Sequence, residues 1–502
     1  MIKYKEQLEE NLLNDQTVPK WKESELACWE TPLFSILPAF IFRFRTKTLN
    51  WLHRTVFRIF NIEFTIGGLL FMASLATIIA YTEYNYFQVK DRRYISGELS
   101  AYIATLIFSF SSKNSIWALL TGASWERTLI IHKSLFYLLA VAVGFHLVYN
   151  LKAIFITISG LYMVLTFSFI AISANYYMRR YSYWLFYICH ILGILVLIYH
   201  AYRHDAYPLF YGIYMWLVDV LIRFITLLFN WGRLSTANIT VQKHTVKITI
   251  KKRWFKHKPG QYVFLWIPAV SFWETHPFTI SSSMDKDYIT LHIKNNGRWT
   301  GKLHKLAESQ VKILVGVQGA YGTTAIDIDN SNYKRFILIA GGIGATPMLS
   351  TANSLCDQYS RGRDIDKVDF LWSVKTLELV DELLDSDNDN MFILRNKTAD
   401  VEKINCDDYL VDLNLYFTGE KQLNEKWPKN YESLANMKAF EGRFDLKQRF
   451  TDIKHECIEK EYKKIAVMVC GPESMVDSVS KLTRQMNDRD ITFDFHCETF
   501  EL

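Results

Sequence analysis

No two of the seven cysteines (Cys28, Cys189, Cys356, Cys406, Cys457, Cys470 and Cys497) stand at a spacing that metal sites use. That absence removes zinc-finger and zinc-ribbon readings, and five of the seven fall in the second half of the chain, where reduced thiols are the expected state. Strong charge is also missing. The net charge of +6 is mild and is accounted for by arginines flanking apolar segments, so nothing asks for nucleic acid. Residues 1–30 are charged throughout and lack an apolar core before a small-residue cleavage site, which argues against a signal peptide. The apolar segment Pro32–Phe42 is too short to span a bilayer and reads as interfacial.

What the chain has in excess is apolar. Half of its 502 residues are hydrophobic and 15% are aromatic, and the excess lies before residue 231. Apolar stretches occur at about 64–82, 99–120, 130–150, 153–174, 184–204 and 208–230, close to the ~20 residues that a spanning helix needs. The 153–174 stretch is the clearest, whereas Ser111-Ser112-Lys113-Asn114 interrupts 99–120. Arg43, Arg45, Lys47, Arg54 and Arg58 precede the first stretch, Arg179 and Arg180 join the fourth and fifth, and Arg233 follows the sixth. All fall on one side of a six-span protein, which the positive-inside rule makes cytosolic, against the weaker vote of Lys90, Arg92 and Arg93. Both termini are then cytosolic. The plasma membrane is preferred to the endoplasmic reticulum, although both are compatible.

Four histidines stand inside these apolar stretches. His132 and His146 are fourteen residues apart, and so are His190 and His204. Fourteen helical steps return to within ~40° of the same face and rise ~21 Å. Two such helices side by side present two levels of facing imidazoles, the geometry needed to hold two haems stacked across a bilayer. His200 matches neither the rise nor the rotation and is expected to be a lumen-side or interfacial polar residue.

After Asn230 the pattern changes to short strands at Ile239–Gln242, Thr245–Lys251, Tyr262–Ile267, Ile289–Ile293 and Val311–Val315, which predicts a small antiparallel barrel. Within it His276-Pro277-Phe278-Thr279-Ile280-Ser281-Ser282 ends a strand with hydroxyl residues suited to an isoalloxazine ring. Lys294, followed by Gly297-Arg298-Trp299-Thr300, sets a cation beside a turn that opens a helix, a fit for a pyrophosphate. From Arg335 strands and helices alternate. Phe336–Ala340 is a buried-strand run followed by Gly341-Gly342-Ile343-Gly344-Ala345-Thr346, where glycines let a dinucleotide phosphate approach a helix N-terminus. A second strand, Lys464–Val469, ends in Cys470-Gly471-Pro472, and a third, Asp369–Ser373, leads to Lys375, a candidate for a ribose phosphate. The acidic stretch 376–462 is expected to be a solvated insertion.

Taken in order, the paired histidines, HPFTISS, HIKNNGRWT, AGGIGATP, CGPE and CETF resemble the ferric reductase and NADPH oxidase superfamily over roughly residues 63–502. The resemblance implies a multi-domain membrane protein: an all-α six-helix transmembrane di-haem domain with a cytosolic ferredoxin-reductase-like part, itself an antiparallel β-barrel FAD domain and an α/β nucleotide-binding domain. The expected boundaries are 1–62 for a cytosolic N-terminal segment, 63–230 for the haem domain, 233–330 for the FAD barrel and 334–502 for the NADPH-binding domain. His132, His146, His190 and His204 would ligate two b-type haems. His276–Ser282, Lys294 and Thr300 would hold FAD. Gly341, Gly342, Gly344, Thr346, Cys470, Gly471 and Pro472 would hold NADPH, with Phe500 resembling the aromatic that shields the flavin. Lys375 stands where family members often have an arginine. A lysine can still pair with a phosphate, so NADPH is preferred while NADH stays open.

The implied path runs from NADPH to FAD, then to the inner haem at His132 and His190, then to the outer haem at His146 and His204. The acceptor is Fe3+ or Cu2+ in a metalloreductase and oxygen in a superoxide-producing oxidase. NADPH oxidases commonly carry another histidine one turn beyond the outer ligand, and Asn150 stands there; their outer loops are also longer and contain cysteine. The stretch Leu119–Arg127 is closer to ferric reductases. A metalloreductase is therefore the expected function, an oxidase the alternative, and a membrane scaffold without electron transfer the third reading, disfavoured because no motif residue is missing. No partner subunit is indicated either way.

Overall fold

In a computed structural model of the protein, the described residues are 55–59, 62–65, 73, 84, 92–112, 125–152, 157–231, 234–252, 257–272, 274–322, 326, 328–384, 409–419 and 437–498. Residues 44–228 form one compact unit and residues 229–502 another. The first unit begins with an antiparallel ribbon, β1 (Thr55–Ile59) against β2 (Ile62–Thr65). Its helices are α1 (Arg92–Phe110), α2 (Trp125–Lys152), α3 (Ile158–Ser173), the short α4 (Tyr176–Tyr181), α5 (Tyr183–Arg203) and α6 (Pro208–Trp231). The stretch expected to span at 64–82 lies outside the described residues, apart from Phe64 and Thr65 in β2 and Ala73. Thr128–Leu151 and Tyr183–Arg203 are long and apolar enough to cross a membrane, and Tyr94–Phe110, Ile158–Ser173 and Pro208–Leu221 are shorter apolar helices.

Small residues set the helix contacts. A Cβ on Gly212 would lie 2.4 Å from the Thr105 carbonyl oxygen, and one on Gly193 would lie 2.6 Å from Ile170 Cγ1. Thus α6 meets the α1 backbone, and α5 meets Ile170 of α3, where glycine leaves room for close approach. The opposite faces are apolar and open: Tyr137, Val141, Phe145 and Val148 of α2 are largely exposed.

The second unit starts with a six-stranded antiparallel sheet of β3 (Ser235–Val241), β4 (Thr245–Lys251), β5 (Tyr262–Trp266), β6 (Thr275–Thr279), β7 (Tyr288–Lys294) and β8 (Lys312–Tyr321), ordered β6-β5-β8-β3-β4-β7. An isolated bridge between Ile280 and Leu291 brings the two edge strands together, closing the barrel. Ile248, Leu265, Ile280 and Leu291 fill it, and Leu303 of α7 (Arg298–Ser309) plugs it. The predicted strands fall in these elements with their ends moved by a few residues.

A parallel sheet follows: β9 (Arg335–Gly341), α8 (Ala345–Ser360), β10 (Lys367–Val374), α9 (Glu378–Leu383), β11 (Val411–Phe417), β12 (Met437–Glu441), α10 (Leu446–Glu459), β13 (Lys464–Cys470), α11 (Glu473–Met486) and β14 (Thr492–Glu498), in the order β12-β11-β10-β9-β13-β14. Phe336 to Ala340 are fully buried, as a strand covered on both faces requires. The described residues of 376–462 do not form a solvated insertion. They supply β11 and β12 and the helices α9 and α10, and Val411 to Leu415 are buried. Asp412 and Asn414 break the apolar run in the sequence, which hid the strand, but the fold gives Asp412 a cationic partner.

That partner is Arg449, whose Nη2 lies 3.1 Å from Asp412 Oδ2 and 2.7 Å from Asp369 Oδ1. Arg335 Nε donates to Asp369 Oδ2 at 2.7 Å, and its Nη2 reaches Glu456 Oε2 at 3.0 Å. Burial alone would raise the Asp369 carboxyl, yet Arg335 and Arg449 hold it below the usual range. Its stabilising effect is therefore present above its unfolded value of about 3.9 and is lost as pH falls through the lower folded value. Asp369→Ala, which takes the central carboxylate from the buried Arg335 and the partly exposed Arg449, should destabilise this sheet by about 3 kcal/mol, seen as a lower melting temperature of the purified protein.

Candidate functional site

The fourteen-residue spacing puts the rings of His146 and His204 6.1 Å apart, centre to centre, with planes at 82°. Two imidazoles that share one metal stand about 6 Å apart, taking about 2 Å for each metal–nitrogen bond. His146 lies within α2, whereas His204 is the C-cap of α5, one residue beyond the helix. His200 turns elsewhere: its ring stacks on Tyr162 at 4.8 Å and meets Tyr199 edge-on at 5.1 Å. One level below, His132 Nδ1 donates to the Ile107 carbonyl at 2.9 Å. A carbonyl can only accept, so the proton sits on Nδ1 and Nε2 keeps its lone pair, the state a metal ligand needs. His190 Nδ1 is buried with no hydrogen-bond partner among the described residues. A neutral imidazole pair with free nitrogens between apolar helices fits haem.

The upper pair has two neighbours that the sequence reading missed, Ser96 and Thr157, besides Asn150, which it noted. Ser96 Oγ lies 3.0 Å from His146 Nδ1, and Thr157 Oγ1 lies 3.0 Å from His204 Nδ1. Asn150 Nδ2 donates to the His146 carbonyl at 2.8 Å and lies 3.3 Å from Nε2 of the same ring.

In the barrel, β6 carries His276 to Thr279 and runs into Ile280, Ser281 and Ser282. His276 stacks against Trp299 at 4.6 Å and Phe278 packs on the same indole at 5.6 Å. His276 Nε2 and Trp299 Nε1 are both buried without a partner among the described residues. Burial lowers the His276 pKa against the opposing pull of Glu274, so this ring stays neutral. Ser281 Oγ donates to the Thr290 carbonyl at 2.9 Å and lies 2.9 Å from His292 Nδ1. Thr300 Oγ1 accepts from the backbone N–H of Asn296 and Gly297 at 3.0 and 2.9 Å, fixing the turn beside Lys294, which is exposed at the end of β7. An aromatic shelf with two orphaned donors or acceptors and a nearby cation suits a flavin with its pyrophosphate.

The nucleotide motifs converge at one edge of the parallel sheet. Gly341 ends β9 and Cys470 ends the adjacent β13, at the point where strand order reverses, the usual ligand crevice of such sheets. A Cβ on Gly341 would lie 2.7 Å from Pro472 Cδ and 3.2 Å from Gly471 Cα, so the two motifs touch. Gly342 has φ +56° and open space where a side chain would be. Trp372, fully buried on β10, donates its indole N–H to the Gly342 carbonyl at 2.9 Å, a support that no motif signalled. Thr346 Oγ1 donates to the Ile343 carbonyl at 3.1 Å, and Lys375 is exposed just after β10 on the same edge. Burial, with Glu498 and Cys497 adding to it, pushes the Cys470 thiol well above its usual range, so it remains protonated. Phe500 lies outside the described residues, two positions after Glu498, which pairs with Cys470.

Helix α8 ties the two cofactor regions together. Ser350 Oγ donates to the Ser282 carbonyl at 3.0 Å, and Met284 N–H donates to Ser354 Oγ at 3.3 Å. At the other end of the barrel Glu382 accepts from His244 N–H and Thr245 Oγ1 at 2.8 and 2.7 Å. The strand carrying the HPFTISS motif is thus held directly against the helix that begins at the glycine turn.

Residues 231–346 match an FAD-binding domain family, and residues 333–484 match the ferric reductase NAD binding domain family. The chain is 26% identical over 424 residues to ferric reductase transmembrane component 5 of Saccharomyces cerevisiae, covering 75% of this chain and 56% of that protein. It is 26% identical over 275 residues to NADPH oxidase 1 of Rattus norvegicus, covering 51% of this chain and 46% of that protein. The chain thus spans about half the length of the curated relatives it matches. A ferredoxin NADP+ reductase from Neisseria gonorrhoeae, solved with FAD and NADP, is 14% identical with a TM-score of 0.34 over 52% of this chain and 98% of that one, a likeness too distant to weigh.

Proposed function

We propose that this chain, which belongs to the ferric reductase and NADPH oxidase superfamily, is a transmembrane metalloreductase that reduces Fe3+ or Cu2+ chelates with electrons from cytosolic NADPH. The observation that carries the choice is the reach of the similarity. The yeast ferric reductase aligns with 75% of this chain, beyond the flavoprotein half, whereas the rat oxidase aligns with 51%. When bound, FAD converts a two-electron hydride into single electrons, and b-type haems carry these across the hydrocarbon. The residues supply placement. Gly342 leaves room for the dinucleotide beside the N-terminus of α8, and Gly341 and Gly471 let the two loops that would hold it touch. Lys375 meets a ribose phosphate as a point charge, and His276, Phe278 and Trp299 form the shelf for the isoalloxazine. Lys294 and the turn fixed by Thr300 take the pyrophosphate. His132 with His190, and His146 with His204, offer two imidazole pairs at two depths.

What stands beyond His146 supports a metal acceptor. A cation there would stabilise developing superoxide; Asn150 brings only a neutral amide. Reduction of Fe3+ or Cu2+ chelates by NADPH is therefore expected to proceed without oxygen and to resist superoxide dismutase. The check is chelate reduction by the purified protein in vesicles under nitrogen and then in air with the dismutase. Activity that needs oxygen, or that the dismutase suppresses, would assign the protein to the oxidases.

A further inference from the structure

The tripeptide Ile-Ser-Gly occurs twice in the chain, at Ile95-Ser96-Gly97 and Ile158-Ser159-Gly160, and each copy lies under one of the two upper histidines. A Cβ on Gly97 would come within 2.9 Å of His146 Cε1, and a Cβ on Gly160 within 3.0 Å of His204 Cε1. In each case a hydroxyl meets the same ring nitrogen: Ser96 Oγ at 3.0 Å from His146 Nδ1, and Ser159 Oγ at 3.3 Å from His204 Nδ1. Thr157 Oγ1 reinforces the second copy at 3.0 Å while also accepting Gly160 N–H at 3.1 Å as the N-cap of α3. Neither glycine has a positive φ, so what each provides is space for a ring. The lower pair has no such seat, since His132 leans on a backbone carbonyl and His190 Nδ1 on nothing described.

We propose that the two Ile-Ser-Gly tripeptides, with Thr157, are matched cradles that position His146 and His204 for the outer haem and tune it apart from the inner one. The inference rests on the haem reading above. With the proton on Nδ1, each imidazole would donate to a hydroxyl oxygen and keep Nε2 as the nitrogen available to a metal, with Asn150 Nδ2 3.3 Å from it in His146. A hydrogen bond at Nδ1 makes the ring a more basic ligand, which favours oxidised iron and lowers the midpoint potential. Because both upper rings have side-chain partners, the outer haem can be retuned by mutation. At the inner site the bond to the Ile107 carbonyl survives any side-chain change at that position.

The test is spectroelectrochemical titration of the purified full-length protein, with His146→Ala used to identify the component that belongs to the outer haem. Ser96→Ala, and Thr157→Val combined with Ser159→Ala, should each shift the outer midpoint upward and leave the inner one in place. Thr157→Ser should restore it in the second case. Gly97→Ala or Gly160→Ala should lower outer haem content, measured as pyridine haemochrome, because the added methyl displaces the ring. Ser96→Ala leaves the α3 cap intact, so it reports on positioning even where the Thr157 variant weakens the helix. Two haems with an outer midpoint unmoved by all the hydroxyl variants would overturn the cradles alone. A wild-type protein with no haem band would overturn the haem reading and the cradles with it.

Discussion

Alanine in place of His132 or His190 should remove the inner haem and abolish reduction of any acceptor across the membrane, while FAD stays bound. Loss of a partner that merely orients a metal-binding histidine costs about 10–100-fold in metal affinity or activity, and loss of the imidazole itself should exceed that. Among the described residues Ile107 and Phe186, which neighbour the two rings, offer no replacement ligand. His132 is held by Ile107 O at 2.9 Å on one side, and His190 has Phe186 at 5.3 Å, an apolar ring with no donor. FAD is held by the barrel in the other unit, so its fluorescence after denaturation should report unchanged content. Reduction of a soluble dye by NADPH at the flavin should persist. Haem content should fall to half or below. His200→Ala is the control, because its ring is engaged with Tyr162 and Tyr199 and should leave both haems in place. A haem spectrum of normal amplitude in His132→Ala would remove this histidine from the site.

The histidine levels were legible because they depend only on helical repeat, which α2 and α5 obey almost to the end; His204 escapes the helix by one residue and still reaches His146. The glycine turn and its strand were legible for a similar reason, since a fully buried parallel strand is apolar without interruption. What depended on tertiary partners was not. β11 is buried like β9, but Asp412 is tolerated there only because Arg449 arrives from α10, far along the chain, so its sequence reads as solvated. Trp372 gives no sign in the sequence that its indole will hold the Gly342 carbonyl. Likewise nothing local marks Ser96 as a partner of His146, fifty residues on; only the repeat of Ile-Ser-Gly, read beside two histidines of equal spacing, was there to find.

Gly344→Val should damage the nucleotide-binding sheet through packing as well as through ligand contact. The sequence alone suggests that both Gly342 and Gly344 make room for phosphates. The structure separates them. A Cβ on Gly344 would stand 2.5 Å from the Cys470 carbonyl oxygen and 3.1 Å from its Sγ, and a backbone oxygen cannot rotate away as a side chain can. The start of α8 must then lift from β13, opening the edge where the two nucleotide motifs touch. Overpacking of this kind costs about 1–3 kcal/mol or more, so a lower melting temperature should accompany loss of NADPH-dependent activity. Gly342 is the cleaner probe. A side chain there meets nothing within 4 Å but must adopt φ +56°, a strain of about 1–2 kcal/mol. Gly342→Ala should raise KM for NADPH about tenfold, equivalent to ~1.4 kcal/mol, with normal FAD and haem content. Steady-state kinetics beside a thermal melt distinguish the two. Unchanged stability in Gly344→Val would contradict the contact with Cys470, and unchanged KM in Gly342→Ala would remove the turn from the dinucleotide site.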